Sequence, residues 1–149
     1  MDAIQQLRSS WARTEAGINT ETIPNERIAA LESNYGILLP DDFCEFLSLS
    51  SPVGEAIDNE MVNWWSFDQI KNIPDEFSHP LNPVIADGGG KYLIFADYCL
   101  WCWAWAISCA DDGSRGQVAI IAGNPHDRIV ANSFSDFVQR YVNGPQLVM

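Results

Sequence analysis

The feature that most constrains this chain is the stretch YCLWCWAWAISC, residues 98–109, which contains no charged residue and holds three of the six tryptophans. Short apolar runs rich in aromatic residues are typical of β-strands, in which alternate side chains share a face. A strand here places the large side chains on one face, namely Cys99, Trp101, Trp103, Trp105, Ile107 and Cys109. Because neither face is charged, we expect a central strand covered on both sides, with Trp103 in the core and a helix packed against the alanines.

Cys99-x-x-Cys102 has the spacing of redox dithiols and of zinc sites. On a strand, these two side chains point to opposite faces, so without a turn they can neither form a disulfide nor share a metal. The two histidines, His79 and His126, lie in separate segments beside prolines and supply no second pair of ligands. We therefore expect buried structural thiols, no metal and no cofactor.

The sequence also gives no positive sign of catalysis. DGGGK, residues 87–91, is followed by the apolar run YLIFA instead of a helix, so it is interpreted as a connection between strands and not as a phosphate-binding loop. No GxSxG nucleophile motif is present, and no pair of carboxylates forms a recognisable catalytic motif. We expect a protein that is not an enzyme.

The remaining patterns predict helices first, then strands, then a closing helix. Helices are predicted over residues 2–15, capped by Asp2, over 23–36, ended by Gly36, from Pro40 onward, and from the cap Ser133 to Asn143. Strand-like runs are 61–67, 84–97, 99–108 and 116–124, with a hairpin turn at 111–116. This order predicts one α+β domain over residues 1–149, with a mainly antiparallel twisted sheet flanked by helices.

The net charge of −12 limits the possible partners. It argues against binding to nucleic acid or to an anionic membrane, because like charges repel. No apolar run is long enough for a membrane span, and the polar N-terminal segment lacks the features of a signal peptide, so we expect a cytoplasmic protein. Two interpretations of the acidity remain: it keeps the protein soluble, or it attracts a basic protein partner.

If a basic partner binds, carboxylates in loops are the best candidates for contact. Candidates in a segment poor in apolar residues are Glu55, Asp58 and Glu60, and candidates at the hairpin tip are Asp111 and Asp112. Trp64 and Trp65 are adjacent and point to opposite faces of a strand. One of them is expected in the core, whereas the other is either a partner-facing anchor or covered by a loop, with Trp64 as the candidate anchor.

The segment IAALESNYGILLPDDFCEFL resembles the N-terminal segment of the SUKH superfamily, which contains fungal regulators of cell-wall synthesis and bacterial immunity proteins. The matching residues are Ile28, Leu31-Glu32, Gly36, Leu39-Pro40, Asp41-Asp42, Phe43 and Phe46-Leu47. Later segments match in order, from NWWSFDQIKNI through YLIFAD to the final helix with Ser133, Phe134 and Phe137, so the resemblance covers residues 24–143. Where many members carry Asn-Gly after the Leu-Pro helix, this chain has SLSSPVGEA.

The resemblance implies an α+β fold, no cofactor and no enzymatic activity. Bacterial members typically neutralise a toxin, often a nuclease, by binding it, and a nuclease must present a basic surface to its substrate. The leading hypothesis is therefore an immunity protein that binds a basic toxin domain. The alternative is a general interaction module in a cytosolic regulatory assembly, as the fungal relatives suggest. An enzyme or metal-binding protein that uses the cysteines is a third, less favoured hypothesis.

Overall fold

The computed structural model describes residues 2–14 and 17–149. The α-helices are α1 Ala3–Ala12, α2 Asn25–Tyr35, α3 Asp41–Ser50, α4 Ile73–Glu76 and α5 Phe134–Asn143. The strands are β1 Thr20–Glu21, β2 Ser51–Pro52, β3 Val62–Trp64, β4 Lys71–Asn72, β5 Tyr92–Tyr98, β6 Trp103–Ser108, β7 Val118–Ile121 and β8 Arg128–Ala131. Within the described residues, 3₁₀ turns lie at Phe67–Gln69, Ala86–Gly89 and Pro145–Val148. The predicted α+β fold class is confirmed.

The helix ends follow local capping chemistry, as predicted. Asp2 accepts a hydrogen bond from the N–H of Gln5 at the start of α1, and Ser133 accepts one from the N–H of Asp136 at the start of α5. Gly36 ends α2 in the left-handed conformation, which glycine adopts without steric cost. Helix α1 ends at Ala12, earlier than predicted, and residue 15 of that prediction lies outside the described residues.

The main sheet has six strands and is antiparallel throughout. Its order is β3-β5-β6-β7-β8, and β4 also pairs with β5, next to β3 on the edge of β5 that faces away from β6. The predicted hairpin turn at 111–116 connects β6 to β7 and is confirmed. A separate two-stranded ribbon joins β1 to β2.

Helices α1, α3 and α5 cover one face of the sheet. Phe137 of α5 contacts Phe95 of β5 and Trp105 of β6, with ring centroids 5.2 and 5.6 Å apart respectively. Phe43 of α3 and Phe134 of α5 join the same cluster, since their rings lie 5.1 Å apart. Burial of these aromatic side chains provides most of the driving force for this layer.

The opposite face of the sheet is covered by residues 73–90, which contain α4 and the second 3₁₀ turn. The helix expected against the alanines is represented only by the four-residue α4, within the segment that covers the face to which Ala104 and Ala106 point. Gly89 has a positive φ of 78°, and a Cβ there would lie 2.8 Å from the side chain of Ile73. The DGGGK segment is thus a tight connection that leads into β5, as predicted.

Strand β6 begins at Trp103 and not at Cys99. From there on, the predicted alternation holds: Trp103, Trp105 and Ile107 face the helices, and the two alanines face the other side. Trp105 is fully buried, whereas Trp103 is only partly buried and stacks on Tyr98 with ring centroids 4.4 Å apart. The expectation that Trp103 is the core residue of this strand is wrong, and Trp105 takes that place.

Among the helices that the structure describes, none combines the length and the apolar character needed to cross a membrane.

Candidate functional site

Residues 99–102, between β5 and β6, form a turn of unusual conformation. Cys99, Leu100 and Trp101 have positive φ angles of 49°, 59° and 70°, and none of them is glycine. The N–H of Cys102 donates to the carbonyl oxygen of Tyr98 at 2.8 Å, which closes one turn of left-handed backbone. Each left-handed residue costs about 1–2 kcal/mol, so contacts elsewhere must hold this turn in place. We call residues 99–102 the left-handed turn.

A buried carboxylate fixes the backbone of the left-handed turn through hydrogen bonds. Asp97 is only 5% exposed and accepts hydrogen bonds from the N–H of Trp101 at 3.3 Å and from Trp65 Nε1 at 2.7 Å. Asn63 Nδ2 donates to the same carboxylate at 3.2 Å. The N–H of Cys99 donates to the carbonyl oxygen of Met61 at 3.0 Å, which fixes the turn to the loop before β3. Strained backbone that is over-determined in this way is often found at functional sites.

The two cysteines of the left-handed turn are not the buried thiols that a strand predicts. Cys102 is exposed and Cys99 is partly buried, and both lie in one turn, so the argument from opposite strand faces is wrong. Partial desolvation and the neighbouring Cys99 raise the pKa of the Cys102 thiol above its ordinary value, which disfavours the reactive thiolate. Within the described part of the chain, no three side chains of His, Cys, Asp or Glu are grouped so that they could hold a metal ion.

A second buried carboxylate, Asp58, organises the loop that contacts the turn. It is 6% exposed and accepts hydrogen bonds from the N–H groups of Glu60 at 2.9 Å and Val62 at 3.1 Å. Trp64 Nε1 donates to it at 2.9 Å, and so does the hydroxyl of Tyr141 on α5. Burial, followed by the charge of Asp58, raises the pKa of Tyr141, so the phenol stays protonated and acts as the donor. Asp58 therefore has a structural role, since it fixes the loop before β3.

These contacts correct two of the residues predicted to face a partner. The expectation that Asp58 is exposed is wrong, because it lies in the interior with four donors around it. Trp64 is fully buried and Trp65 is 5% exposed, so neither is accessible as an anchor. The two indoles do point to opposite faces of the sheet, as predicted, and each donates its N–H to a buried carboxylate.

The other four carboxylates predicted to contact a partner are exposed, two in the segment before β3 and two in the hairpin after β6. Glu55 and Glu60 are exposed in the segment before β3; Glu60 lies at the end of β5 that carries the left-handed turn, and Glu55 lies further back, where the segment runs antiparallel to β3. Asp111 and Asp112 are exposed in the hairpin after β6. The length of β6, about 3.3 Å per residue, separates the two ends, so the structure does not bring these four residues together.

Exposed apolar side chains cluster at the end with the left-handed turn, whereas at the hairpin end the exposed Leu38 lies beside Arg115, which donates to its carbonyl oxygen. At the left-handed turn, Leu100 is 89% exposed, Met61 is 51% exposed and Trp101 is 36% exposed. We call these three residues the turn patch. At the hairpin end, Asp112 Oδ1 accepts hydrogen bonds from the N–H of Ser114 at 2.8 Å and from its hydroxyl at 2.6 Å, and these bonds lower the pKa of Asp112. The carboxylate of Asp112 thus forms hydrogen bonds within its own turn, whereas the apolar side chains of the turn patch are exposed to solvent.

A groove of about 670 Å³ opens beside Trp101, on the sheet face away from helices α1, α3 and α5. We call it the aromatic groove; its main lining residues are Glu76, Phe77, His79, Trp101, Ile121 and Asn124. The buried Asp127 fixes its far wall by accepting hydrogen bonds from the N–H groups of Ala122 and Gly123, both at 2.8 Å. The sequence does not indicate this groove, because its walls come from separate segments without a shared motif.

The comparison with protein families agrees with the resemblance noted in the sequence. The model of the SMI1 / KNR4 family (SUKH-1) matches residues 22–140. No curated protein matches the chain. The family is generally non-catalytic, suggests interaction with a protein partner and is consistent with immunity-type function in general. The match spans most of the chain, including the left-handed turn and both walls of the aromatic groove, and the protein therefore belongs to the SMI1 / KNR4 family (SUKH-1).

Proposed function

We propose that this protein is a non-enzymatic immunity protein, which binds and neutralises a toxin domain with a basic surface in the cytoplasm. Membership of the SUKH-1 family supports binding to a protein partner. The net charge of −12, from 20 acidic and 8 basic side chains, supports a partner of opposite charge. A nuclease toxin fits this description, since it needs a basic surface to bind phosphates, and acidic side chains can compete for that surface.

The observation that carries the proposal is the turn patch with its acidic neighbours. Binding surfaces commonly have an apolar centre and a polar rim, and exposed apolar groups that cluster are a sign of such a surface. Here Met61, Leu100 and Trp101 form the apolar part, while Glu55 and Glu60 belong to the segment that leads into Met61. We therefore assign partner binding to this end of the sheet in preference to the end with Asp111 and Asp112.

The rigid backbone beneath the patch favours the same surface. Asp58 and Asp97 fix the two loops that present Met61 and Leu100, so little conformational entropy is lost when a partner binds. An exposed leucine on a flexible loop would have to be ordered first, at a cost in affinity.

The proposal is tested with the toxin domain encoded by the neighbouring gene. We expect a 1:1 complex in calorimetric titration and loss of toxicity when both proteins are produced in the same cells. Leu100→Asn should weaken the complex by at least about tenfold, because it removes a central apolar contact. Leu38→Asn is the matched control, since Leu38 is also highly exposed but lies in the loop that contacts the hairpin end through Arg115.

Two results would contradict the proposal. The first is a neighbouring toxin that neither binds the protein nor loses its toxicity in cells that produce it. The second is an equal effect of the two leucine substitutions, which would remove the turn patch from the interface. A chromosome with no toxin gene beside this one would favour the alternative, a general interaction module in a regulatory assembly.

A further inference from the structure

Three rings, those of Trp101, Phe77 and His79, line one side of the aromatic groove, and the buried Trp65 packs behind Trp101. Trp65 contacts Trp101 with ring centroids 6.3 Å apart, Trp101 contacts Phe77 at 5.5 Å, and Phe77 contacts His79 at 5.3 Å. Trp101 and Phe77 meet edge to face, at an interplanar angle of 87°. The π-face of an exposed tryptophan attracts cations, and arginine in particular stacks on it with its planar guanidinium.

Negative charge lies behind and beside these rings. Asp97 is buried and accepts a hydrogen bond from the backbone N–H of Trp101, and none of the ion pairs among the described residues includes it. Glu76 is part of the lining, and it forms an ion pair with Lys71, whose Nζ lies 2.6 Å from Glu76 Oε2, so Lys71 offsets part of the charge of Glu76. Asp97 does not line the groove itself, but a buried charge is screened less by salt than an exposed one, so its carboxylate contributes to the potential near Trp101.

We infer that the aromatic groove receives an arginine side chain of the protein partner, stacked on Trp101 and attracted by Asp97 and Glu76. This inference rests on the proposed function, since it gives the partner's contact residue for a basic protein that binds at the turn patch. Leu100 and Met61 then contact the apolar surroundings of that arginine. The groove volume of about 670 Å³ leaves room for neighbouring partner residues as well.

The first test uses wild-type protein and two peptides, Ac-Gly-Arg-Gly-NH₂ and the citrulline peptide Ac-Gly-Cit-Gly-NH₂. Citrulline keeps the shape of arginine but has no charge. The indole N–H signals of the six tryptophans are followed by two-dimensional NMR during titration, and the Trp101 signal is assigned from its absence in Trp101→Leu. We expect a saturable shift of the Trp101 signal with the arginine peptide and binding at least about threefold weaker with citrulline, as a cation–π contact at an exposed site predicts.

Charge variants provide a matched control. Glu76→Gln should weaken binding of the arginine peptide, whereas Glu45→Gln, on the exposed side of α3, should leave the affinity for this peptide unchanged. Equal affinities for the arginine and citrulline peptides, or no shift of the Trp101 signal with either, would overturn the inference. Both results are measured on wild-type protein, and folded Trp101→Leu is needed only to assign the Trp101 signal.

The neighbouring toxin domain separates this inference from the proposed function. If the arginine peptide binds at Trp101 but the toxin domain does not bind at all, the proposed function fails and the arginine site stands. If the toxin domain binds folded Trp101→Leu as tightly as wild type, the arginine site is not used and the inference fails, while the proposed function stands. A loss of at least about fivefold in toxin affinity, the size of one cation–π contact, supports both.

Discussion

Substitution of Asp58 by asparagine tests the claim that this carboxylate is a structural centre and not a partner contact. The change keeps the size of the side chain but replaces Oδ2 by an amide NH₂. Trp64 Nε1 and the hydroxyl of Tyr141 both donate to Oδ2, whereas the N–H groups of Glu60 and Val62 both donate to Oδ1. In the variant, the Tyr141 hydroxyl can rotate and accept from the new amide. Trp64 Nε1 cannot, because an indole N–H is only a donor.

The expected cost follows from these partners. The buried Trp64 N–H loses its acceptor, which costs about 1–3 kcal/mol, and the three other hydrogen bonds lose the added strength that a charged acceptor provides. We expect Asp58→Asn to lower the free energy of unfolding by about 2–4 kcal/mol, a large part of the stability of a chain of this size.

The assay is urea unfolding followed by tryptophan fluorescence, with Asp111→Asn as the matched control. Asp111 carries the same chemical change on an exposed turn, where a substitution is expected to alter stability by less than about 0.5 kcal/mol. The reasoning is refuted if Asp58→Asn is as stable as Asp111→Asn. It is also refuted if Asp58→Asn abolishes toxin binding at unchanged stability, since that would return Asp58 to the binding surface.

Three further predictions concern the core, a buried thiol and a helix cap. Trp105→Ala should destabilise the fold by about 3–5 kcal/mol and Trp103→Ala by less, because Trp105 is fully buried; equal losses in urea unfolding would contradict this ranking. Burial raises the pKa of the Cys109 thiol to about 12. From about pH 9 upward, the unfolded chain therefore loses this proton while the folded chain keeps it, and stability falls by up to about 1.4 kcal/mol per pH unit. Cys109→Ala should show a shallower decline than wild type between about pH 8.5 and 10.5, and parallel declines would exclude this contribution. Ser133→Ala should cost about 1 kcal/mol, since Ser133 Oγ accepts from the N–H of Asp136 at 2.9 Å; Ser133→Asp, which keeps an acceptor, should retain most of that stability.

The elements that could be predicted from the sequence are those set by local chemistry. The caps Asp2, Gly36 and Ser133 act within a few residues, and the apolar stripe of α5 repeats with the helical period. The order of helices and strands along the chain was sufficient to predict the α+β fold class. The family segment around Leu39-Pro40 then indicated which α+β fold to expect.

The left-handed turn could not be predicted, because its conformation has no local cause. Cys99, Leu100 and Trp101 favour a strand, and no glycine marks the change of backbone. The turn is held instead by Asp97 and by the carbonyl oxygen of Met61, a contact across 38 residues of sequence that forms only when β3 pairs with β5. Tertiary contacts thus override strand propensity at this point.

The interior position of Asp58 has a similar reason. A carboxylate in the polar segment GEAIDNE is normally a surface group, and only the turn-forming sequence Asp58-Asn59 hinted at local hydrogen bonds. The donor that completes its environment, Tyr141, lies 83 residues further along the chain. The aromatic groove likewise depends on contacts between segments that are far apart in the sequence. The sequence shows which residues these segments contain, but not that the segments meet.

The measurement that tests the central claim most directly is the association rate of the neighbouring toxin domain as a function of ionic strength. It compares wild type with Glu55→Lys/Glu60→Lys and with Asp111→Lys/Asp112→Lys, two variants that change the net charge equally but at opposite ends of the sheet. We expect a wild-type rate that falls with added salt, and a slower and less salt-dependent rate for the Glu55/Glu60 variant than for the Asp111/Asp112 variant. A wild-type rate that does not depend on salt, or equal effects of the two variants, would contradict binding through the acidic end of the sheet that carries the turn patch.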